Sequence, residues 1–315
     1  AMADTILYGR IHTSVDSLDG ASKSTSLSSN TSRIGVKGSM DLDYGLKAIY
    51  KAEWGIDSGG DGAYEFKNRD QFVGIAGSFG AILAGRHDTP FKLLTGKVDM
   101  FWTKQLGQNR QITNGSGWDL RVNNVLAYQT PKIGNFQALA AYVTEDNNNG
   151  VDAISVNGIY DDKTLMFGAG YETHSAEFNG GDGINGIDSS SSARVIAGFS
   201  MAGAKVTLFY QGVFDDRGIA DNDNDTYGIG LSYGIGTAGT IKAQYYQRSN
   251  AGEENNPTLM AAGYDHKLGK NTEVYLQYAQ SDKGLGLGGT GHGESMGSDI
   301  DGDTTGVSIG LRHKF

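Results

Sequence analysis

Residues 79–90 read FGAILAGRHDTP and residues 121–131 read RVNNVLAYQTP, and each segment has the pattern of a β-strand. The long stretch between them, residues 91–120, shows no sustained alternation and is rich in lysine, arginine and tryptophan. A connection of that length without regular structure is unusual in a compact domain and is usually functional. We therefore expect residues 89–120 to fold into the lumen of a closed barrel and to narrow it.

The chain on either side of this segment has the period-two pattern that a barrel wall requires. In residues 5–16, Leu7 and Ile11 fall on one face of the predicted strand, whereas Arg10 and Asp16 fall on the other. The same rhythm repeats along the chain, with strands joined alternately by short turns and by longer loops rich in glycine, asparagine and aspartate. We count seven short turns, eight long loops and about sixteen strands, which is the layout of outer-membrane barrels.

The predicted strands have one apolar face with many aromatic residues and one small or polar face. The apolar positions include Phe136, Ala138, Ala140, Tyr142, Leu165, Phe167, Ala169, Tyr171, Tyr227, Ile229, Leu231, Tyr233, Val274, Leu276 and Tyr278. The facing positions include Lys242, Gln244, Tyr246, Tyr275 and Gln277. Tyrosines near strand ends are typical of the interfacial girdle of a membrane barrel. A soluble β-sandwich also alternates, but it would leave many strand edges to protect.

Composition bounds the possible functions. The 315 residues include 48 glycines, 3 prolines and no cysteine, which excludes a disulfide framework and a thiolate metal site. The formal net charge of −10 argues against nucleic acid as a partner. A mean hydropathy of −0.37 does not exclude a membrane barrel, because half of each strand can face a polar lumen. We predict an all-β fold, a 16-stranded antiparallel transmembrane β-barrel that forms one domain over residues 1–315.

Five segments resemble one family, the general diffusion porins of Gram-negative bacteria. They are TILYGRI (5–11), SRIGVKG (32–38), GRHDTPFK (85–92), RVNNVLAYQTPKIGNFQALAAY (121–142) and the ending GLRHKF (310–315). The resemblance implies a homotrimer in the outer membrane, in contact with lipid and lipopolysaccharide, with no cofactor. Each barrel would be a passive pore for small hydrophilic solutes and ions, narrowed by residues 89–120, which correspond to the family's loop 3 and are called loop 3 below.

The resemblance also implies a ladder of basic residues on the barrel wall. Carried over position by position, the ladder consists of Arg10, Arg33, Lys37, Arg86 and Arg121. Alternation independently places Arg10 and Arg33 on the lumen face. The direction of Arg86 rests on the resemblance alone, because the neighbouring alanine and glycine leave its parity open.

The loop 3 side of the expected constriction departs from the acidic pattern of the family. Its candidate residues are Asp99, Lys97, Trp102, Lys104 and Arg110, and Asp99 is the one acid between positions 91 and 117. We therefore expect a net positive constriction and a preference for anions. The acidic residues that dominate the net charge lie in predicted loops, for example Asp221, Asp223, Asp299 and Asp301.

Other functions are less well supported by the residues. The runs at 221–226 and 299–304 lack the glycine and glutamate of a calcium-binding EF-hand loop, and the six histidines have no metal-binding spacing, so we predict no metal site. A substrate-specific channel would require a denser row of aromatic residues on loop 3. A barrel adhesin also stays open. A hydrolase is disfavoured, because His12, Ser14 and Asp16 are spaced too openly along one strand for a catalytic triad.

Overall fold

The computed structural model describes residues 4–59, 66–113, 115–144, 151–175, 189–250, 256–288, 295–296 and 302–315. Its strands are β1 (Asp4–Asp19), β2 (Lys23–Ser29), β3 (Arg33–Asp41), β4 (Lys47–Gly55), β5 (Asn68–Gly77), β6 (Gly80–Asp88), β7 (Arg121–Gln129), β8 (Phe136–Thr144), β9 (Val151–Asp161), β10 (Leu165–His174), β11 (Ser190–Met201), β12 (Ala204–Phe214), β13 (Asn224–Ile235), β14 (Gly239–Asn250), β15 (Thr258–Lys267), β16 (Thr272–Ser281), β17 (Leu287–Gly288), β18 (Ser295–Met296) and β19 (Thr304–Lys314). The helices are α1 (Pro90–Val98) and α2 (Gly115–Trp118). Neither of these two helices has the length and apolar character needed to cross a membrane.

The wall is one antiparallel sheet closed on itself. From β3 to β16 each strand pairs with the next one along the chain, β16 pairs with β19, and β19 pairs with β1. Strands β2 and β3 share one position in the wall, because β2 pairs with residues 13–19 of β1 and β3 pairs with residues 4–10. The wall is therefore sixteen strands around, which confirms the predicted antiparallel barrel. Strands β17 and β18 form a separate two-stranded ladder.

The first hairpin is longer than the sequence predicts. A polar loop is expected over residues 17–31, whereas β1 continues to Asp19 and β2 occupies Lys23–Ser29. The segment has too few apolar residues for period-two alternation to be visible. Pairing with β1 nevertheless satisfies its backbone groups, and Leu27 takes an exposed outer position.

The two faces of the wall carry the predicted side chains. Leu7 and Ile309 are 64% and 61% exposed on the outer face, whereas His12 and Ser308 are fully buried on the inner face. The predicted aromatic positions on β8, β10, β13 and β16 are exposed, and the facing positions on β14 and β16 are buried. An apolar outer face and a polar inner face are the arrangement of a membrane barrel rather than of a soluble sandwich.

Loop 3 contains regular structure, contrary to the expectation of a connection without it. Thr89 is the N-cap of α1, its hydroxyl accepts a hydrogen bond from the backbone N–H of Lys92, and Pro90 occupies the first turn. A 3-10 turn at Asn109–Gln111 and helix α2 follow. Thr-Pro at positions 89–90 was therefore a helix-start signal within the sequence.

Candidate functional site

The apolar side chains of loop 3 pack against one side of the inner wall. Leu94, Val98, Phe101, Leu106 and Ile112 are at most 1% exposed and belong to one hydrophobic cluster with wall residues. The wall members of that cluster are Leu18, Met166, Ile196, Phe209, Tyr246, Leu259, Ala261 and Ala279, together with Leu287 of β17.

Glycines in the wall make room for this packing. A Cβ atom on Gly170 of β10 would lie 2.6 Å from Cδ1 of Leu94, and one on Gly306 of β19 would lie 2.7 Å from Cδ1 of Leu106. Since real Cβ atoms do not approach other atoms this closely, glycine is what allows loop 3 to lie directly on the strands. Loop 3 is therefore attached to the wall over a wide arc, from β10 to β19.

Arg194 of β11 joins the wall to both ends of loop 3. Its side chain is fully buried, and its Nη1 atom donates to the carbonyl of Phe91 at 3.1 Å, to the hydroxyl of Thr95, and to Oδ1 of Asp119 at 2.7 Å. The guanidinium carbon also lies 4.0 Å from the centroid of the Phe91 ring. One buried cation thus fixes α1 and the segment before β7 at the same point.

Asp119 is the acceptor at that point. It is fully buried and accepts hydrogen bonds from Arg194, Thr95 and Thr113. Arg110 donates to its backbone carbonyl at 2.9 Å. The predicted constriction residue Arg110 therefore forms a hydrogen bond within loop 3 and stabilises its conformation.

Asp99 is also an internal acceptor rather than a lumen-facing charge. Its carboxylate is 7% exposed and accepts hydrogen bonds from the backbone N–H groups of Phe101 and Asn109 and from the side chain of Gln244. Burial raises the pKa of Asp99 to about 6, although these hydrogen bonds act in the opposite direction. The single acid of the central part of loop 3 is thus turned towards the β14 wall.

Lys104 reaches from loop 3 to β16, within the arc of wall against which loop 3 packs. Its ammonium lies 2.8 Å from Oε1 of Glu273 and 3.4 Å from the centroid of the Tyr275 ring. Burial lowers the pKa of Lys104 to about 8. Lys97 is exposed at the end of α1, and its carbonyl accepts a hydrogen bond from Lys205. Of the predicted loop cations, Lys104 is therefore ion-paired and Lys97 faces solvent.

The two tryptophans of loop 3 have packing roles. Trp118 is 1% exposed and stacks on His174 of β10, with ring centroids 4.4 Å apart and planes 14° apart. Trp102 is half-buried and lies over Gly96, where a Cβ atom would be 3.2 Å from the indole ring. Both rings contribute to the compactness of loop 3.

A cationic cluster lines the inner face of β3–β5, outside the arc that loop 3 covers. Three cations surround the buried carboxylate of Glu53: Arg69 at 2.6 Å and Arg33 and Lys51 both at 3.6 Å. The side chain of Arg33 is 28% exposed, whereas that of Glu53 is 2% exposed. The positive groups therefore lie nearer to solvent than the carboxylate that they surround.

The cluster continues onto β6, β7 and the start of α1. Arg121 lies 2.6 Å from Asp70 and 3.0 Å from Asp88. Lys51 pairs with Asp70 at 2.5 Å, and Lys92 pairs with Asp88 at 3.0 Å. The predicted residue Arg121 thus joins two carboxylates in a continuous ionic network.

The remaining predicted wall residues, Lys37 and Arg10, differ in their exposure to solvent. Lys37 is exposed, with its ammonium 5.1 Å from the centroid of the Tyr8 ring, and it lies directly opposite Lys51 in the β3–β4 register. Arg10 is only 5% exposed and donates from Nε to the carbonyl of Thr31 at 3.0 Å. Both lie on the inner face with Arg33, as alternation predicts.

The expectation that Arg86 faces the lumen is wrong. Arg86 lies opposite Gln71 in the β5–β6 register and shares the face of Ile82 and Val73, which are exposed on the outer side. Its side chain donates to Asn123 at 2.7 Å. The β6–β7 pairing shifts register between positions 85 and 87. Because of this bulge, the side chains of Arg86 and its neighbours do not alternate regularly between the two faces.

Among the described residues, sequence reasoning did not single out several inner-face cations as site residues, including Lys51, Arg69, Arg194, Arg248 and Arg312. Alternation could have identified Lys51 and Arg312, since both fall on the polar face of their strands. Arg69 lies within an irregularity of the β4–β5 pairing, between the pairs Trp54–Asn68 and Ala52–Gln71, where regular alternation fails. Arg312 binds Glu273 at 2.9 Å, close to Lys104.

The side chains considered for a hydrolase do not form a triad. His12 forms its hydrogen bond with Tyr275, at 2.9 Å, whereas Ser14 donates to Asp16, also at 2.9 Å. In the described part of the chain, no group of three or more acidic or histidine side chains is arranged to hold a metal ion. Asp299 and Asp301 lie outside the described residues.

Comparison with known proteins gives consistent results. The family model described as Gram-negative porin matches residues 1–284. Outer membrane porin protein 32 of Delftia acidovorans is 28% identical over 313 residues, which cover 91% of this chain and 85% of that protein. Major outer membrane protein P.IA of Neisseria meningitidis is 24% identical over 341 residues, covering 92% of this chain and 83% of that protein.

Solved structures agree with the fold over its whole length. The anion-selective porin from Comamonas acidovorans superimposes with a TM-score of 0.84 at 25% identity, and each chain is fully covered. OmpT of Vibrio cholerae, solved in a trimer form, superimposes with a TM-score of 0.75 at 18% identity, again with full coverage of both chains.

Proposed function

The chain belongs to the Gram-negative porin family of outer-membrane barrels, and on that premise we propose that it is a passive channel for small hydrophilic solutes with a preference for anions. The observation that carries the preference is the asymmetry of the inner face. Apolar packing and a smaller ionic group around Glu273 occupy the β10–β19 side, whereas ionic groups dominate the inner face of β3–β7. Family and fold point to a channel rather than to an enzyme.

The proposed passage runs between loop 3 and the wall formed by β3–β7. Loop 3 rests on the opposite arc through Leu94, Phe101 and Leu106, so the water-filled space lies on the cationic side. Loop 3 then narrows the lumen because it occupies part of the barrel's cross-section. The exposed side chain of Lys37 and the partly exposed side chain of Arg33 mark the proposed path.

The charge along this path is net positive. Five cations face three carboxylates; the cations are Arg33, Lys51, Arg69, Lys92 and Arg121, and the carboxylates are Glu53, Asp70 and Asp88. The acids of loop 3 do not offset this excess, since the carboxylates of Asp99 and Asp119 are directed into its attachments to Gln244 and Arg194. Fixed positive charge in a narrow pore raises the local concentration of anions and thereby favours their passage.

We also propose that the channel is a homotrimer in which β1–β6 form the contact. On the outer face of these strands the exposed large side chains carry no aromatic ring, and Tyr50 and Trp54 of β4 are half-buried there; the exposed ones are Leu7, Ile11, Val15, Leu27, Met40, Val73, Ile75 and Ile82. Exposed aromatics on β8–β16 are numerous; they include Phe136, Tyr142, Tyr160, Phe167, Tyr171, Phe199, Tyr227, Tyr233, Tyr245, Tyr264 and Tyr278. Aromatic girdles mark lipid contact, and a smooth aliphatic area is typical of a protein interface.

A substrate-specific channel is the second candidate, and the burial of loop 3 aromatics argues against it. Phe91, Phe101 and Trp118 are at most 1% exposed, so they offer no surface along which a sugar could slide. Trp102 is half-buried. A general channel therefore fits the described part of loop 3 better.

The proposal is tested by reversal potentials of the purified protein in a planar bilayer under a potassium chloride gradient. We expect current steps in multiples of three. The reversal potential should have the sign expected when chloride is more permeant than potassium. Arg33→Ala and Arg121→Ala should move the potential towards the potassium side, whereas Lys132→Gln, in the exposed β7–β8 turn, should leave it unchanged. A wild-type potential on the potassium side would overturn the anion preference.

A further inference from the structure

Arg10 is a buried cation that forms no ion pair with any described residue. It is 5% exposed, and its one recorded hydrogen bond runs from Nε to the carbonyl of Thr31. Its Nη2 nitrogen is shielded from solvent and has no hydrogen-bond partner among the described residues. The same holds for ring nitrogen Nδ1 of His12, two positions further along the same face of β1.

The neighbours of Arg10 make its position less favourable still. The β1–β3 register places Arg33 directly opposite Arg10, and the β1–β19 register places Lys314 opposite it on the other side. Arg312 lies opposite His12, diagonal to Arg10. Like charges directly opposite each other on a sheet destabilise it.

The flanking arginines Arg33 and Arg312 each form an ion pair with a carboxylate, whereas Arg10 forms no ion pair within the described ranges. Arg33 lies 3.6 Å from Glu53, and Arg312 lies 2.9 Å from Glu273. An arginine does not release its proton in a protein, so its buried charge must be matched from elsewhere. An unmatched buried ion destabilises the fold, and a bound counter-ion would offset that cost.

We propose that one small inorganic anion, chloride in ordinary salt, resides at Nη2 of Arg10, among Arg10, Arg33 and Lys314. The anion sits behind Arg33 rather than in the passage, so it cancels the charge of Arg10 instead of carrying current. Binding of this resident ion does not depend on whether the permeation path prefers anions. It differs from the constriction role that the resemblance implies for Arg10.

Bromide is the probe, because it replaces chloride and can be located by its anomalous scattering. Crystals of the whole protein grown in sodium bromide should show a bromide peak within hydrogen-bonding distance of Nη2 of Arg10. Crystals of Arg10→Gln should lack that peak but retain any bromide at exposed lysines. A water molecule on Nη2 in wild-type crystals, or a peak that persists in Arg10→Gln, would overturn the proposal.

A solution measurement on the wild-type protein covers the case in which Arg10→Gln does not fold. At constant ionic strength, replacing gluconate with chloride should raise the thermal unfolding midpoint by about 2 °C or more, since a ligand bound only to the folded state stabilises it. Identical midpoints in the two salts would contradict a resident chloride. Reversal potentials report on permeation separately, so either proposal can fail while the other stands.

Discussion

Replacing Arg194 with methionine should loosen loop 3 from the barrel wall. The guanidinium is fully buried and donates to Phe91, Thr95 and Asp119 of loop 3 and to Gln211 of the neighbouring strand. Methionine keeps much of the apolar volume but removes these donors. The fully buried Asp119 carboxylate then loses its cation at 2.7 Å, and breaking such a pair costs ~3–5 kcal/mol.

A double-variant cycle separates the ion pair from simple packing. Asp119→Leu removes the stranded carboxylate, so Arg194→Met/Asp119→Leu should be markedly more stable than the sum of the two single changes implies. Urea unfolding in lipid vesicles gives the free energies, and open-channel current noise should rise in Arg194→Met because loop 3 moves more. Arg217→Met, at an exposed turn, is the matched control.

Two results would refute this reasoning about Arg194. The first is a free energy of unfolding for Arg194→Met within about 1 kcal/mol of the wild-type value, since that would mean that the buried ion pair does not stabilise the barrel. The second is strict additivity in the cycle with Asp119→Leu, since residues in direct contact should couple.

Three further predictions follow from loop 3. Burial raises the pKa of Asp99 to about 6, so this carboxylate binds a proton more tightly in the folded protein than in the unfolded chain. The wild-type protein should therefore gain stability relative to Asp99→Asn as the pH falls from 7 to 5. Urea unfolding at the two pH values measures this difference. Gly170→Ala forces a methyl group against Leu94 and should cost ~1–3 kcal/mol, with partial recovery in Gly170→Ala/Leu94→Val; full additivity would contradict that contact. Iodide should quench the fluorescence of Trp102 but not that of Trp118, tested in single-tryptophan variants.

Period-two alternation was sufficient to predict the barrel and the direction of most wall residues. Arg10, Arg33, Gln244 and Tyr275 lie on the inner face because neighbouring residues in a strand point to opposite sides, and that property is local. Alternation does not predict the direction of Arg86, because the bulge beside it interrupts the regular change of face along the strand.

The attachments of loop 3 could not be predicted, because they join residues that are distant in sequence. Arg194 contacts Phe91 and Asp119 across 103 and 75 positions, and Lys104 contacts Glu273 across 169. Nothing in the local pattern distinguishes a lysine that is ion-paired to the wall from one that lines the lumen. The loop cations Lys92 and Lys104 are ion-paired, so in the proposed passage the positive excess comes largely from the wall.

Cysteine accessibility tests the central claim, that the passage runs along the β3–β7 wall, most directly. The chain has no cysteine, so Lys51→Cys and Ala261→Cys each carry a single thiol, one on the cationic wall and one beneath loop 3. A negatively charged methanethiosulfonate reagent should reduce the current through Lys51→Cys channels and leave Ala261→Cys channels unaffected. Reduced current through Ala261→Cys alone would place the passage on the other side of loop 3 and contradict the account.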